Sequence, residues 1–164
     1  MMKYITACLL VTLLSAHSTP ALEEVRTTYQ KAASSEKSCK ELIHLLNPYT
    51  EMNNTLLSGY KGSATMMMAK YVFSPVSKLN YFNKGKKILE NAIEKDKKNV
   101  ELRFLRYSIQ TNIPFFLGYK GNIETDKNFL VASITKINDE ALKTLVITYL
   151  KKYGELSEKE KQQI

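Results

Sequence analysis

Arg103 and Arg106, one helical turn apart in "LRFLRYSIQTNIPFFLGYKGNIETD" (102–126), are the side chains of this sequence best spaced to do chemistry. On a helix they share a face with Tyr107 and Gln110, because residues three and four apart are neighbours there. Guanidiniums grip carboxylates and phosphates through paired N–H donors. The pattern therefore points to an anionic group held between two forks. Asn112-Ile113-Pro114 ends that helix. Phe115, Phe116 and Leu117 are expected to dive under the bundle, Gly118 to turn the chain, and Tyr119 and Lys120 to return to the surface. A helix starting at Asn122 would add free backbone N–H groups. The expected ligand-binding pocket is thus Arg103, Arg106, Gln110, Tyr119 and Asn122, with Tyr60, Lys61 and Lys70 facing it from an earlier helix. A structural reading of the same residues competes. In it the arginines pair with Glu101, Asp126 or acids of the preceding helix, and the phenylalanines plug the core.

Other chemistries find little support. His44, inside "LIHLL", is the only histidine after residue 17. That excludes His-rich metal motifs and argues against Ser-His-Asp or Cys-His devices. His44 is expected to be partly buried or interfacial, and Cys39 to lie on a helix surface or in the core. No Gly-rich phosphate loop follows a strand. Glu90, Glu94, Asp96 and Glu101 read as solvated helix sides. No catalytic residue, metal or cofactor is assigned.

Residues 1–18, "MMKYITACLLVTLLSAHS", have the layout of a signal peptide: Lys3, an apolar run from Tyr4 to Leu14, then small residues. Cleavage is expected after Ser18, with Ala21 the runner-up and an uncleaved anchor the remaining alternative. A lipoprotein cysteine at Cys8 is rejected because the apolar run follows it. Export to the periplasm or the medium is the expectation. Cys8 then leaves with the signal and Cys39 cannot form an internal disulfide. Stability must come from a packed core, which residues 19–164 are long enough to build as one domain.

Those residues read as helix almost throughout, with apolar spacings of three and four and no period of two. Expected helices span 22–35, 38–46, 51–73, 75–96, 100–112, 123–137 and 139–153. The start signals are a Ser38/Glu41 capping box, Ser74-Pro75, Asn99, Asn122 and Asn138. Gly154 is a stop, and Ser157 with Glu160 begins a short tail helix. Gly59 and Gly62 lie inside a helical pattern, which predicts a close helix crossing or a bend. Met66-Met67-Met68 cannot all face one side, so two are expected to fill the core. A Met-lined groove is the sharper alternative.

In "YFNKGKKILENAIEKDKKNVELRFLR", Gly85, Leu89 and Ala92 follow the spacing small-x3-large-x2-small, before an acidic turn at Asp96 and a restart at Asn99. This resembles the second helix and exit turn of a tetratricopeptide repeat, over about 25 residues. Lys97 stands where that family has proline. The likeness implies an all-α domain of six or seven helices stacked in pairs. The segment from Tyr60 through Phe129 also resembles a group of small exported bacterial proteins of unknown function, which implies one helical fold and brings no activity.

The net charge is +8, or +7 without Lys3. Lysines gather at Lys84, Lys86, Lys87, Lys95, Lys97 and Lys98 and again at Lys151 and Lys152. Such a balance favours acidic partners. Nucleic acid ranks low for an exported chain without aromatic-interleaved basic patches. The sequence therefore reads as an exported, non-enzymatic helical binding or scaffold module for a peptide or protein, or for a small acidic ligand. Its alternatives are a small envelope enzyme acting on an anionic substrate and a membrane-surface protein docked by lysines and Met or Phe side chains.

Overall fold

Short polar side chains set where the helices start. In the computed structural model, which describes residues 19–164, Ser35 caps α2 (Glu36–Leu45), Asn54 caps α3 (Thr55–Met67) and Ser74 caps α4 (Pro75–Lys95). Asn99 accepts from two backbone N–H groups of α5 (Val100–Asn112), and Asp139 caps α7 (Glu140–Tyr153). Ser157 and Glu160 close a capping box on α8 (Glu158–Lys161). With α1 (Leu22–Ala32) and α6 (Ile123–Ser133), these eight α-helices make one all-helical domain among the described residues, without strands. The signal-peptide segment 1–18 lies outside them.

Three starts differ from expectation. Ser38 donates its backbone N–H to Ser35 Oγ instead of capping, so α2 begins two residues early. Residues 51–53 form a turn held by Asn53, whose side chain accepts from Thr50 N, and α3 starts only at Thr55. Asp139 takes the place of Asn138, since a carboxylate suits a helix N-terminus better and Arg26 also holds it. Both α3 and α6 tighten into 3-10 turns at their ends, Met68–Lys70 and Ile134–Lys136.

Helix α3 touches α1, α2, α4 and α5, so it is buried on nearly every side. That is why Met66, Met67 and Met68 are all interior, against the expected two. Helix α5 joins two apolar clusters. Leu102, Leu105 and Ile109 face the first, with α1 to α4, and Phe104 and Tyr107 face the second, with α6 and α7.

The closest approach is between α3 and α4, where glycine meets glycine. A Cβ on Gly62 would stand 2.6 Å from Leu89 N and 2.8 Å from Gly85 O, and one on Gly85 would stand 2.5 Å from Met66 N. Backbone cannot yield as a side chain can. At Gly59 the obstacle is only the end of the Leu102 side chain. Ala is worth about 1 kcal/mol more than Gly inside a helix, yet Gly62→Ala and Gly85→Ala should each lose about 1–3 kcal/mol net from overpacking. Gly59→Ala should stay within about 1 kcal/mol of wild type. Urea unfolding checks the order, and a neutral Gly85→Ala would refute the backbone contact.

Candidate functional site

Between α4, α5 and α6 lies the cluster that holds five of the eight expected site residues. Arg106 places Nε 2.7 Å and Nη2 2.9 Å from the two oxygens of Asp126, and Nη1 2.9 Å from Glu90 Oε2. Arg103 brings Nε to 2.5 Å from Asp126 Oδ1, a close ion pair too poorly aligned to count as a hydrogen bond, and lies over the Phe129 ring. Tyr119 donates its hydroxyl to Glu90 Oε1. One turn further along α5, Gln110 Nε2 stands 3.5 Å from Asn122 Oδ1, a weak contact. Burial by itself would lower the Arg106 pKa, but Asp126 and Glu90 outweigh it and the net shift is upward. Burial, then Glu90, raises Tyr119.

Two positive and two negative side chains thus close on one another, the arrangement of the structural reading. Asp126 has no exposed surface and both of its oxygens are engaged.

Tyr60, Lys61 and Lys70 lie elsewhere. Lys61 Nζ donates to the carbonyls of Asn47, at 3.3 Å, and Tyr49, and Lys70 Nζ to that of Ala33 at 2.6 Å. Tyr60 belongs to a second buried network. There Arg26 forks onto Glu101, with Nε–Oε1 2.7 Å and Nη2–Oε2 2.8 Å, and reaches Asp139 with Nη1 at 2.8 Å. The Tyr60 hydroxyl donates to Glu101 Oε1 at 2.5 Å. Glu101 raises the Arg26 pKa against the opposing effect of burial. Glu101 was expected on a solvated helix side, and the Arg26 fork is what permits its burial.

The 113–119 connection departs from expectation at Phe115, Phe116 and Tyr119 and agrees with it at Leu117 and Gly118. Phe115 and Phe116 are each 84% exposed, whereas Tyr119 is buried at 5%. A 3-10 turn over Phe115–Leu117 sends Leu117, with Ile113, against the core, and Gly118 at φ +61° redirects the chain. Tyr119 can then be buried because Glu90 accepts from its hydroxyl. His44 is exposed and Cys39 is buried, its thiol pushed up to about 11 by burial.

Shallow cavities open on the surface of the described residues. One of about 320 Å³ touches Lys40, Ile43, His44, Asn47, Met68 and Tyr81. Another of about 450 Å³ includes Tyr107, Lys120, Lys152 and Tyr153. Among the described residues, no group of three or more His, Cys, Asp or Glu side chains is placed to hold a metal ion.

Several large apolar side chains are left exposed. Phe73 is 99% exposed, Val76 69% and Leu79 51%. Helices α4 and α5 join through the short turn 96–99 and pair Glu90 with Arg106, so they run antiparallel. The exit from α5 therefore lies alongside the first half of α4. Tyr119 ties them, its ring 5.9 Å from Phe82 and its edge geometry T-shaped. Phe73, Val76 and Leu79 are thus exposed at the start of α4, and Phe115 and Phe116 on the turn that Tyr119 ties to its first half. The available signal was charge: no Asp or Glu occurs between Glu51 and Glu90, nor between Glu101 and Glu124. Among the described residues, none of Lys70, Lys78, Lys84, Lys86 and Lys87 is in an ion pair.

Compared with protein families, curated proteins and solved structures, the chain matches none.

Removing one partner of a buried ion pair strands the other. Arg106→Ala should cost about 3–5 kcal/mol in denaturant unfolding, and Arg103→Ala less, about 1–2 kcal/mol, because Arg106 still holds Asp126. Equal, small losses would contradict the fork. The second network supplies a pH test. Asp139 is held below the usual carboxylate range, first by the Leu142 backbone N–H and then by Arg26. A carboxyl with a lower pKa folded than unfolded stabilises fully above its unfolded pKa, about 4, and loses that contribution as pH falls through the folded value. Asp139→Asn should therefore flatten the loss of stability below about pH 4. An unchanged acid limb would show that the charge of Asp139 contributes nothing.

Proposed function

We propose that this chain is an exported, non-enzymatic helical binding module whose working surface is the aromatic and basic end formed by the start of α4 and the Phe115–Phe116 turn. The observation that carries the reading is the exposure of Phe73, Phe115 and Phe116 beside lysines that no carboxylate pairs. Large apolar side chains clustered on a surface mark interaction sites. Nothing in the core requires these three, since each is exposed by 84% or more.

The scaffold suits the role. Antiparallel α3 and α4 meet at Gly62 and Gly85, and this small-residue crossing supports the likeness to tetratricopeptide helix pairs. Such pairs serve as rigid mounts for a binding face. The arginine cluster contributes stiffness, since its charge is already answered by Asp126 and Glu90. Those two carboxylates do converge on Arg106, as an envelope enzyme would need. Asp126, however, is closed to solvent, so a substrate has no route to it.

A photo-crosslinking residue in place of Phe115, introduced in the source organism, should give adducts that the same residue at Lys95, at the other end of α4, does not. Equal labelling at the two positions, or no adduct to protein or lipid at either, would remove the proposed surface.

A further inference from the structure

Resting on that reading, we infer that the partner of this end is an anionic lipid surface, against which the protein lies with Phe73, Leu79, Phe115 and Phe116 in the headgroup boundary and its lysines on the phosphates.

The shape of the patch argues for a membrane over a peptide. A bound peptide needs a concavity with pockets for its anchor side chains. Of the exposed apolar side chains here, Tyr81 lines the first cavity, beside α2, whereas Phe73, Val76, Leu79, Phe115 and Phe116 line neither of the two described above. They project outward from two separate elements, a helix start and a 3-10 turn, held at one end by the Phe82–Tyr119 contact. Separate projecting apolar groups are satisfied by a deformable apolar phase that closes around each one. Bulky aromatic and aliphatic side chains on a basic face are what an interfacial binder presents to a bilayer.

The charge is complementary. Lys78 is exposed beside Val76 and Leu79 at the start of α4, Lys84 is exposed five residues beyond Leu79, and Lys70, whose Nζ also donates to the Ala33 carbonyl, precedes the helix. Lys86 Nζ lies 4.7 Å from the Tyr119 ring. With no acid in the sequence between Glu51 and Glu90 or between Glu101 and Glu124, the segments that build this end carry only positive charge. Anionic headgroups attract each such lysine, and the attraction falls off within a Debye length. Among the described residues no helix is long and apolar enough to cross a membrane, so the contact proposed is with the surface.

The test uses residues 19–164, which contain every helix and both apolar clusters described above. Co-sedimentation with phosphatidylglycerol vesicles should exceed that with phosphatidylcholine vesicles at least about tenfold, and high salt should reverse it. The triple variant Phe73→Ser, Phe115→Ser, Phe116→Ser and the charge reversal Lys78→Glu, Lys84→Glu should each lose most of the binding while unfolding as wild type does. The sequence has no tryptophan, so Phe116→Trp is a sole reporter whose emission should shift to the blue on anionic vesicles. Binding that is equal on both lipids, indifferent to the serine variant, or unaccompanied by the shift would overturn the inference. No vesicle binding, with Phe115 still crosslinking to a protein, would overturn the lipid assignment and leave the binding module standing. No vesicle binding and no adduct at all would overturn both.

Discussion

Asp126 is sealed from solvent, and a carboxylate in that position persists only because guanidiniums reach it. Most of the domain follows from satisfying it and its counterpart Glu101. The sequence has three arginines, Arg26, Arg103 and Arg106, and all three serve these two buried acids. Lysine makes up the rest of the basic side chains. The division has a physical reason, since a guanidinium offers a planar fork of donors and is less strongly hydrated than an ammonium. Placing Arg at the two buried acids and Lys, with the exception of buried Lys127, where charge is solvated keeps the desolvation cost low at both kinds of site.

Helix α5 carries a member of each network, Glu101 near its start and Arg103 with Arg106 further along. Through Glu101 it is bound to α1 and, by way of Arg26, to Asp139 at the head of α7. Through Arg106 it is bound to α4 and α6. Buried pairs of this kind add little net stability over apolar packing, because desolvation offsets attraction. What they impose is register: a helix that slides by one turn leaves a buried charge without a partner. The glycine crossing of α3 on α4 acts on the same principle in steric form, because the backbones approach this closely only where Gly62 and Gly85 face each other.

The sequence made the helices legible because their signals are local. Ser74-Pro75, Asn99 and the Ser157/Glu160 box depend on neighbours within four residues, and all three mark helix starts. Ser38 failed because Ser35 offered the same chemistry three residues earlier, and only the fold chooses between them. The candidate site was legible in part. Arg103, Arg106, Gln110, Tyr119 and Asn122 do gather. Their partners were harder to read, since Arg26 meets residues 75 and 113 positions away and spacing carries no information over such separations. The connection 113–119 was read by hydrophobicity alone. That places phenylalanine inside and tyrosine outside, whereas a tyrosine with an acceptor such as Glu90 can be buried and a phenylalanine left out.

The pairing of every arginine with acids explains why the exterior is so basic. In the two networks three arginines face four carboxylates, buried Glu101 and Asp126, part-buried Glu90 and exposed Asp139, so these networks contribute none of the positive balance. It falls on the lysines, of which only Lys127 is buried among the described residues. Those of α4's first half have no acid on either flank in sequence, and the arginines that might have recruited acids to that end are already turned inward. A fold that neutralises its core so completely leaves its net charge where a partner can meet it, and at one end it sets exposed phenylalanines beside that charge. Apolar contact and electrostatic attraction then act on the same partner at the same place, and neither would hold it alone as well as both together.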